Sequence, residues 1–242
     1  MLSYTQSGVE KLFMSKQAKL DGSRPIRGGI PVCWPWFGQL HPDINEHKLA
    51  HGLVRQQLWE LEAKVSTAKS VSITLSPTDL THPLWPQGLT CQLIITLTHD
   101  HLEVKLLSHN KGEKPVPLSC ALHSYFAIDD LQETSLIGIT GEYSDNANEG
   151  AIGSTPETYR FTGEVDRIHP NTDNILSTDI YHKDRPITAI THAGHDSLVV
   201  WNPWRNKSQS FVDFADDEYL QMICVETALT QHFELAPHNH HH

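Results

Sequence analysis

Apolar and polar residues alternate along many short segments of this chain. Apolar side chains occupy every second position in residues 91–97, and they do so again in residues 102–106 after a tight His-Asp-His connection. Alternation with a period of two is typical of a strand with one buried face, so these segments predict a β-hairpin. Residues 71–76 alternate in the same way and predict a further strand.

Other β-like runs are separated by clusters of Pro, Gly, Asn and Asp, and no long amphipathic helix is predicted. This pattern predicts an all-β fold, an antiparallel sandwich or barrel. The runs lie at residues 9–14, 118–128, 135–139, 159–161, 187–190, 197–201 and 220–225.

The length and composition favour one domain. The 242 residues can bury a large core, and no composition break or Gly/Ser-rich linker divides them. We therefore expect a single β-sandwich domain over residues 1–237. Residues 238–242 form a histidine-rich tail that is more typical of an expression tag or a frayed end than of a metal site.

Charge and cysteine usage narrow the functional classes. The formal net charge of -11, from 18 basic and 29 acidic residues, disfavours a broad surface for nucleic acid or anionic membrane. Four widely spaced cysteines predict buried thiols in a reducing compartment. There is neither a long apolar run nor a charged-then-apolar leader. We expect a cytoplasmic monomer with neither nucleic acid nor a membrane as its partner.

Residues 24–38 (RPIRGGIPVCWPWFG) contain three prolines and three glycines. They exclude a helix or a long central strand and predict a shaped loop. Trp34 and Trp36 offer a sugar an apolar face, and Arg27 offers an anion a planar cationic fork. A buried loop whose aromatic residues simply fill space explains the same residues equally well.

Two residues are candidates for acid–base chemistry. His123 ends a strand-like run, and its imidazole titrates near neutrality, although a histidine in such a run is more often a hydrogen-bonded core residue. Glu226 follows the apolar run 222–225. A buried carboxylate there would have a raised pKa and act as a general base, or it would form a structural ion pair with an arginine.

Asp166, His51 and Arg55 are weaker candidates. Asp166 lies in a polar, turn-like stretch where a surface charge is the better explanation. His51 precedes Arg55 by four residues. No HExxH motif and no Cys/His set with zinc spacing occurs, so no metal is predicted. The residues alone indicate a β-rich enzyme or binding protein with an aromatic, arginine-lined pocket.

Six segments, taken in order, resemble the signature of the glucose-6-phosphate 1-epimerases, the hexose-6-phosphate mutarotase branch of the aldose 1-epimerase superfamily. The resemblance covers about residues 9–236. The segments are IRGGIPVCWPWFG (26–38), HGLVR (51–55), LHSYF (122–126), GEVDR (163–167), VWNPW (200–204) and CVE (224–226).

The resemblance implies an antiparallel β-supersandwich of the galactose mutarotase type that interconverts hexose 6-phosphate anomers without a metal or organic cofactor. It implies that Glu226 takes the proton of the anomeric hydroxyl, while His123 protonates the ring oxygen. The implied substrate contacts are His51 and Asp166 for sugar hydroxyls, Arg27 and Arg55 for phosphate and hydroxyls, and Trp34, Trp36 and Tyr125 as pocket walls.

Two other functions stay open at the level of sequence. A non-catalytic sugar-phosphate sensor on the same fold would bind through these residues without exchanging protons. A glycoside hydrolase using Glu226 with Asp166 would need two suitably spaced carboxylates across a glycosidic bond.

Overall fold

The structure is a computed structural model that describes residues 1–38 and 49–242. These residues form two compact units. The first unit comprises Met1–Pro31 and Ala121–Gln231, and the second comprises Val32–Cys120 and His232–His242. The single domain over residues 1–237 therefore stays a prediction.

Short strands dominate both units, as the alternation predicts. Within the described ranges the one α-helix is α1 (Trp204–Ser208), and short 3-10 turns occur at Leu131–Glu133, Asn146–Asn148 and Glu218–Gln221. No helix in these ranges is both long and apolar enough to cross a membrane. In chain order the strands are β1 (Thr5–Gln6), β2 (Val9–Glu10), β3 (Val32–Cys33), β4 (Trp59–Ser66), β5 (Ser70–Pro77), β6 (Leu89–Thr98), β7 (Leu102–Asn110), β8 (Val116–Pro117), β9 (Cys120–Leu122), β10 (Tyr125–Ala127), β11 (Thr134–Ile137), β12 (Glu142–Asp145), β13 (Ala151–Ser154), β14 (Tyr159–Arg160), β15 (Val165–Pro170), β16 (Ser177–His182), β17 (Arg185–Thr191), β18 (Ser197–Asn202), β19 (Met222–Leu229), β20 (Glu234–Leu235) and β21 (His240–His241).

The first unit is built on two antiparallel sheets. Its larger sheet contains β13-β12-β15-β18-β19 in that order, with β10 also paired to β19. Its smaller sheet has the order β14-β11-β16-β17. Apolar residues from both sheets pack into one core, which includes Leu136, Ile180, Leu198, Ile223 and Val225. The core therefore lies between the sheets, as in a β-sandwich.

The second unit carries a five-stranded antiparallel sheet with the order β21-β7-β6-β5-β4. Strands β6 and β7 form the predicted hairpin, with Leu97 opposite Leu102 next to the connection. His240 and His241 of the histidine-rich tail pair with β7 rather than fraying.

The predicted strand at residues 71–76 is confirmed as β5, but two other predictions need correction. Residues 163–167 do not form a turn, because β15 begins at Val165. The last predicted strand does not end at Val225, because β19 runs from Met222 to Leu229 and includes Glu226. In both places polar residues within the strand hid its continuation.

Candidate active site

The two faces of strand β19 have different roles. Ile223 and Val225 point into the core between the sheets. Successive side chains of a strand point to opposite faces, so Met222, Cys224 and Glu226 lie on the other face. Met222 and Cys224 pack there in a second buried cluster. Glu226 is thus presented on the face of the sheet that does not contact the main core.

His123 reaches Glu226 from the break between β9 and β10. Its backbone N–H donates to the carbonyl of Pro31 at 3.0 Å. Its Nδ1 lies 3.3 Å from Glu226 Oε1. The Tyr125 ring stacks on the imidazole with ring centroids 4.9 Å apart, and Trp201 meets it edge-on at 6.0 Å. These contacts fix the position of the imidazole beside the carboxylate.

The environment of Glu226 favours its protonated form. The residue is 1% exposed, and this burial raises the pKa of Glu226 well above its ordinary value, with the charge of Asp166 adding to the effect. Its Oε2 has no hydrogen-bond partner within residues 1–38 and 49–242. A carboxylate with these properties is a strong proton acceptor toward a bound hydroxyl group.

The backbone before Arg27 and after it is fixed by close packing. The Ser15 N–H donates to the Arg27 carbonyl at 3.0 Å. Gly28 has a φ of +129°, and a Cβ there would lie 2.5 Å from the carbonyl oxygen of Phe13. Gly29 has a φ of +69°. Glycine is required at position 28 because the side chain of any other residue would collide with the backbone of Phe13 and Met14.

The guanidinium of Arg27 is held by three side chains. It donates to the Tyr125 hydroxyl at 3.4 Å and to Asp213 Oδ1 at 3.3 Å. Its Cζ lies 4.4 Å from the ring centroid of Phe211. Arg27 Nε is buried and donates to no group in the part of the chain that the structure describes. Because Tyr125 contacts both Arg27 and His123, it connects the cation to the His123–Glu226 pair.

Asp166 lies on β15 and is half-buried, which corrects the expectation of a surface charge in a turn. Asn146 Nδ2 donates to its Oδ1 at 3.1 Å. Lys207 Nζ lies 3.8 Å from its Oδ2 and 2.7 Å from Glu164 Oε1. Burial raises the pKa of Asp166, while Asn146 and Lys207 oppose the rise. The charge of Asp166 also raises the pKa of Glu226, so these two predicted residues interact electrostatically.

The remaining predicted residues belong to the second unit. His51 Nδ1 accepts from the Gly38 N–H at 3.2 Å. Trp34 is fully buried, and its Nε1 donates to Ser108 Oγ at 3.0 Å. Trp36 Nε1 donates to a backbone carbonyl at 2.9 Å. Arg55 is half-buried. The predicted substrate contacts of these four residues stay predictions.

A model of the aldose 1-epimerase family matches residues 1–241. The chain belongs to this family. A protein of Escherichia coli K12 provisionally named glucose-6-phosphate 1-epimerase is 31% identical over 94% of this chain and 76% of its own length. A crystal structure from Salmonella typhimurium, provisionally described as a mutarotase, has a TM-score of 0.84 at 27% identity and covers 98% of this chain and 78% of its own.

The fold is that of the galactose mutarotase-like proteins. The structure of a galactose mutarotase related enzyme from Lactobacillus acidophilus has a TM-score of 0.70 at 13% identity, covering 97% of this chain and 85% of its own. Together with the family match, this confirms the predicted β-supersandwich class. Membership of the aldose 1-epimerase family supports an isomerase that interconverts the anomers of a hexose.

Three residues near the candidate site are not predicted as functional by the sequence pattern: Phe211, Asp213 and Cys224. Asp213 and Phe211 hold Arg27, yet about 185 positions separate them from it in the chain. The sequence signal for this contact is an acidic residue, Asp213, within the apolar segment FVDF (211–214). This signal is weak by itself. The sequence predicts Cys224 only as a buried thiol. Its approach to His123 and Glu226 follows from the strand register that pairs it with Tyr125.

Proposed function

We propose that this aldose 1-epimerase interconverts the α and β anomers of a hexose 6-phosphate, with glucose 6-phosphate as the preferred substrate. The observation that carries the proposal is the 3.3 Å approach of His123 Nδ1 to the buried Glu226 carboxylate. The hydroxyl and the ring oxygen that react in mutarotation are bonded to the same carbon. An acid and a base acting on them must therefore lie close together, as these two groups do.

Ring opening starts with Glu226 as the carboxylate and His123 as the imidazolium. Glu226 takes the proton of the O1 hydroxyl, the C1–O1 double bond forms, and the C1–O5 bond breaks as O5 takes a proton from His123. Rotation about the C1–C2 bond turns the other face of the aldehyde toward O5. Reclosure returns both protons and forms the opposite anomer, so no proton is consumed.

Arg27 is the proposed anion-binding residue of the first unit. Its side chain is 23% exposed, and its Nη2 lies 3.3 Å from Asp213 Oδ1. A guanidinium matches the geometry of a phosphate and binds it through paired hydrogen bonds. Asp166 is proposed to hold a sugar hydroxyl. For His51 and Arg55 the same role rests on the resemblance of their motif.

The test is the rate of anomer exchange of glucose 6-phosphate, measured by magnetisation-transfer NMR with and without enzyme. We expect wild type to accelerate the exchange and Glu226→Gln to lower kcat by about 10²- to 10⁴-fold, because the amide cannot accept the proton. Glu142→Gln, a change at an exposed residue of β12, is the matched control and should keep the wild-type rate.

Three results would contradict different parts of this proposal. A Glu226→Gln enzyme at full rate would remove Glu226 from the mechanism. Saturable binding of glucose 6-phosphate without any acceleration by wild type would replace the enzyme with a sugar-phosphate sensor. Equal kcat/KM for glucose and glucose 6-phosphate would remove the preference for phosphate and leave the epimerase activity standing.

A further inference from the structure

Three different metal-binding side chains converge on one face of the larger sheet. His123, Cys224 and Glu226 each offer one ligand atom, and these atoms all lie within 4.8 Å of one another. The strand pattern explains the convergence. Cys224 and Glu226 are two positions apart on β19 and point to the same face. Tyr125 of β10 is paired with Cys224 in an antiparallel register. His123, two residues before Tyr125, therefore lies beside Glu226, two residues after Cys224.

The donor set selects the class of ion. Imidazole nitrogen, thiolate sulfur and carboxylate oxygen together suit Zn²⁺, whereas Mg²⁺ and Ca²⁺ prefer oxygen donors alone. Zinc bonds of about 2.0 to 2.3 Å in a tetrahedron place the ligand atoms about 3.5 Å apart. The present separations of up to 4.8 Å must shorten toward this value for the three atoms to bind one ion. Cys224 is in no disulfide, so its sulfur is a thiol.

A second observation points to a cation at this place. Glu226 is 1% exposed, and its Oε2 accepts no hydrogen bond from any described residue. A buried carboxylate oxygen that accepts no hydrogen bond is costly, and a cation bound to it removes that cost. Binding of Zn²⁺ releases the thiol proton and any carboxyl proton. One dication then balances one thiolate and one carboxylate, so the closed site is neutral.

We infer that His123, Cys224 and Glu226 form a Zn²⁺ site that holds the enzyme in an inactive state. Two of the three ligands are the proposed acid and base, so a bound ion occupies the groups that must exchange protons with the sugar. The ion is a reversible inhibitor that competes with substrate, not a resident cofactor. Binding of the ion stands on the geometry alone, and its effect on catalysis rests on the proposed function.

Cobalt(II) tests the binding directly, because a cysteine thiolate bound to Co²⁺ gives a charge-transfer absorption in the near ultraviolet. We expect titration of the metal-free protein with cobalt chloride to produce this band in wild type and in Cys91→Ser, a control at a buried cysteine of the second unit. The band should be absent in Cys224→Ser and in Cys224→Ala. Cobalt held by the histidine-rich tail gives no thiolate band and does not interfere.

Anomer exchange tests the consequence. Zinc chloride should inhibit wild type, EDTA should restore the rate, and magnesium chloride should have no effect. Cys224→Ser should need at least tenfold more Zn²⁺ for half-inhibition while exchanging anomers without metal. Absence of the band in wild type, or an equal band in Cys224→Ser, would overturn the site. A wild type that binds Co²⁺ but exchanges no anomers in the metal-free state would keep the site and overturn the proposed function.

Discussion

Strands β19 and β4 show how differently the two units treat their polar residues. Strand β19 of the first unit is buried along almost its whole length, yet it carries Glu226. Strand β4 of the second unit is an edge strand, and nearly all of its residues are exposed, including three charged ones. A charge on β4 is solvated and costs little, whereas the charge on β19 is expensive and needs a function or a partner to account for it.

The same contrast extends to apolar residues. Leu61 and Val65 of β4 are 57% and 59% exposed, while Ile223 and Val225 of β19 are buried in the core of the first unit. Substitutions on β19 and its neighbours should therefore change activity and stability strongly. Matched substitutions on β4 should change neither.

The largest expected effect is on catalysis at the acid–base pair. His123→Gln should lower kcat for anomer exchange by about 10²- to 10⁴-fold, because glutamine cannot donate a proton to the ring oxygen. The double variant His123→Gln/Glu226→Gln should be no slower than the slower single variant, because the two residues act as a unit. Exchange NMR measures all three rates.

His109→Gln, on β7 of the second unit, is the control for this substitution and should keep the wild-type rate. If losses in the double variant multiply, His123 and Glu226 act independently. The contrast in activity between β19 and β4 would then depend on Glu226 alone.

The next largest expected effect is a loss of stability of the first unit at low pH. His169 and His192 are buried, and burial lowers the pKa of each from 6.5 to about 4, with Arg167 and His195 as smaller causes respectively. The unfolded chain binds these protons near pH 6.5, whereas the folded protein does so near pH 4. Protonation therefore favours the unfolded chain, and stability falls as the pH drops through this window.

Over the whole window each histidine contributes about 3 kcal/mol to this loss, and most of that loss occurs between pH 7 and pH 4.5. Urea unfolding at pH 7 and pH 4.5 measures it. His192→Gln, whose amide can serve the neighbouring hydroxyls of Thr178 and Thr227, should show a smaller loss between the two pH values than wild type. An unchanged difference would mean that His192 is not kept neutral by burial.

Local pattern explains what could be predicted and what could not. The β6–β7 hairpin was predictable because its alternation and its turn are contiguous in sequence. Strand β15 was missed because Asp166 and Arg167 interrupt its apolar pattern, and each is stabilised by contacts distant in sequence. Only the family resemblance assigns His123 and Glu226 to one site. The two residues are about a hundred positions apart, and a strand pairing at that separation produces no pattern in the local sequence.

A moderate effect is expected where Asp213 holds Arg27. Asp213→Asn keeps an oxygen acceptor but removes the charge, so the guanidinium is oriented less firmly. We expect KM for glucose 6-phosphate to rise by about tenfold with a smaller change for free glucose, a loss of about 1.4 kcal/mol. Asp217→Asn, at an exposed residue of the same loop, is the control. Equal losses for both sugars would indicate that Arg27 binds no phosphate.

The smallest effect is expected on β4, where the contrast with β19 is most direct. Val65→Thr replaces a methyl by a hydroxyl on a strand face open to water, and the free energy of unfolding should change by no more than about 0.5 kcal/mol. Val225→Thr makes the same replacement in the core of the first unit, where the hydroxyl loses its water, and should cost about 1 to 3 kcal/mol. Urea unfolding of both variants measures the difference. If Val65→Thr costs as much as Val225→Thr, the exposed face of β4 is covered in solution, and the edge strand is a contact surface rather than a tolerant rim.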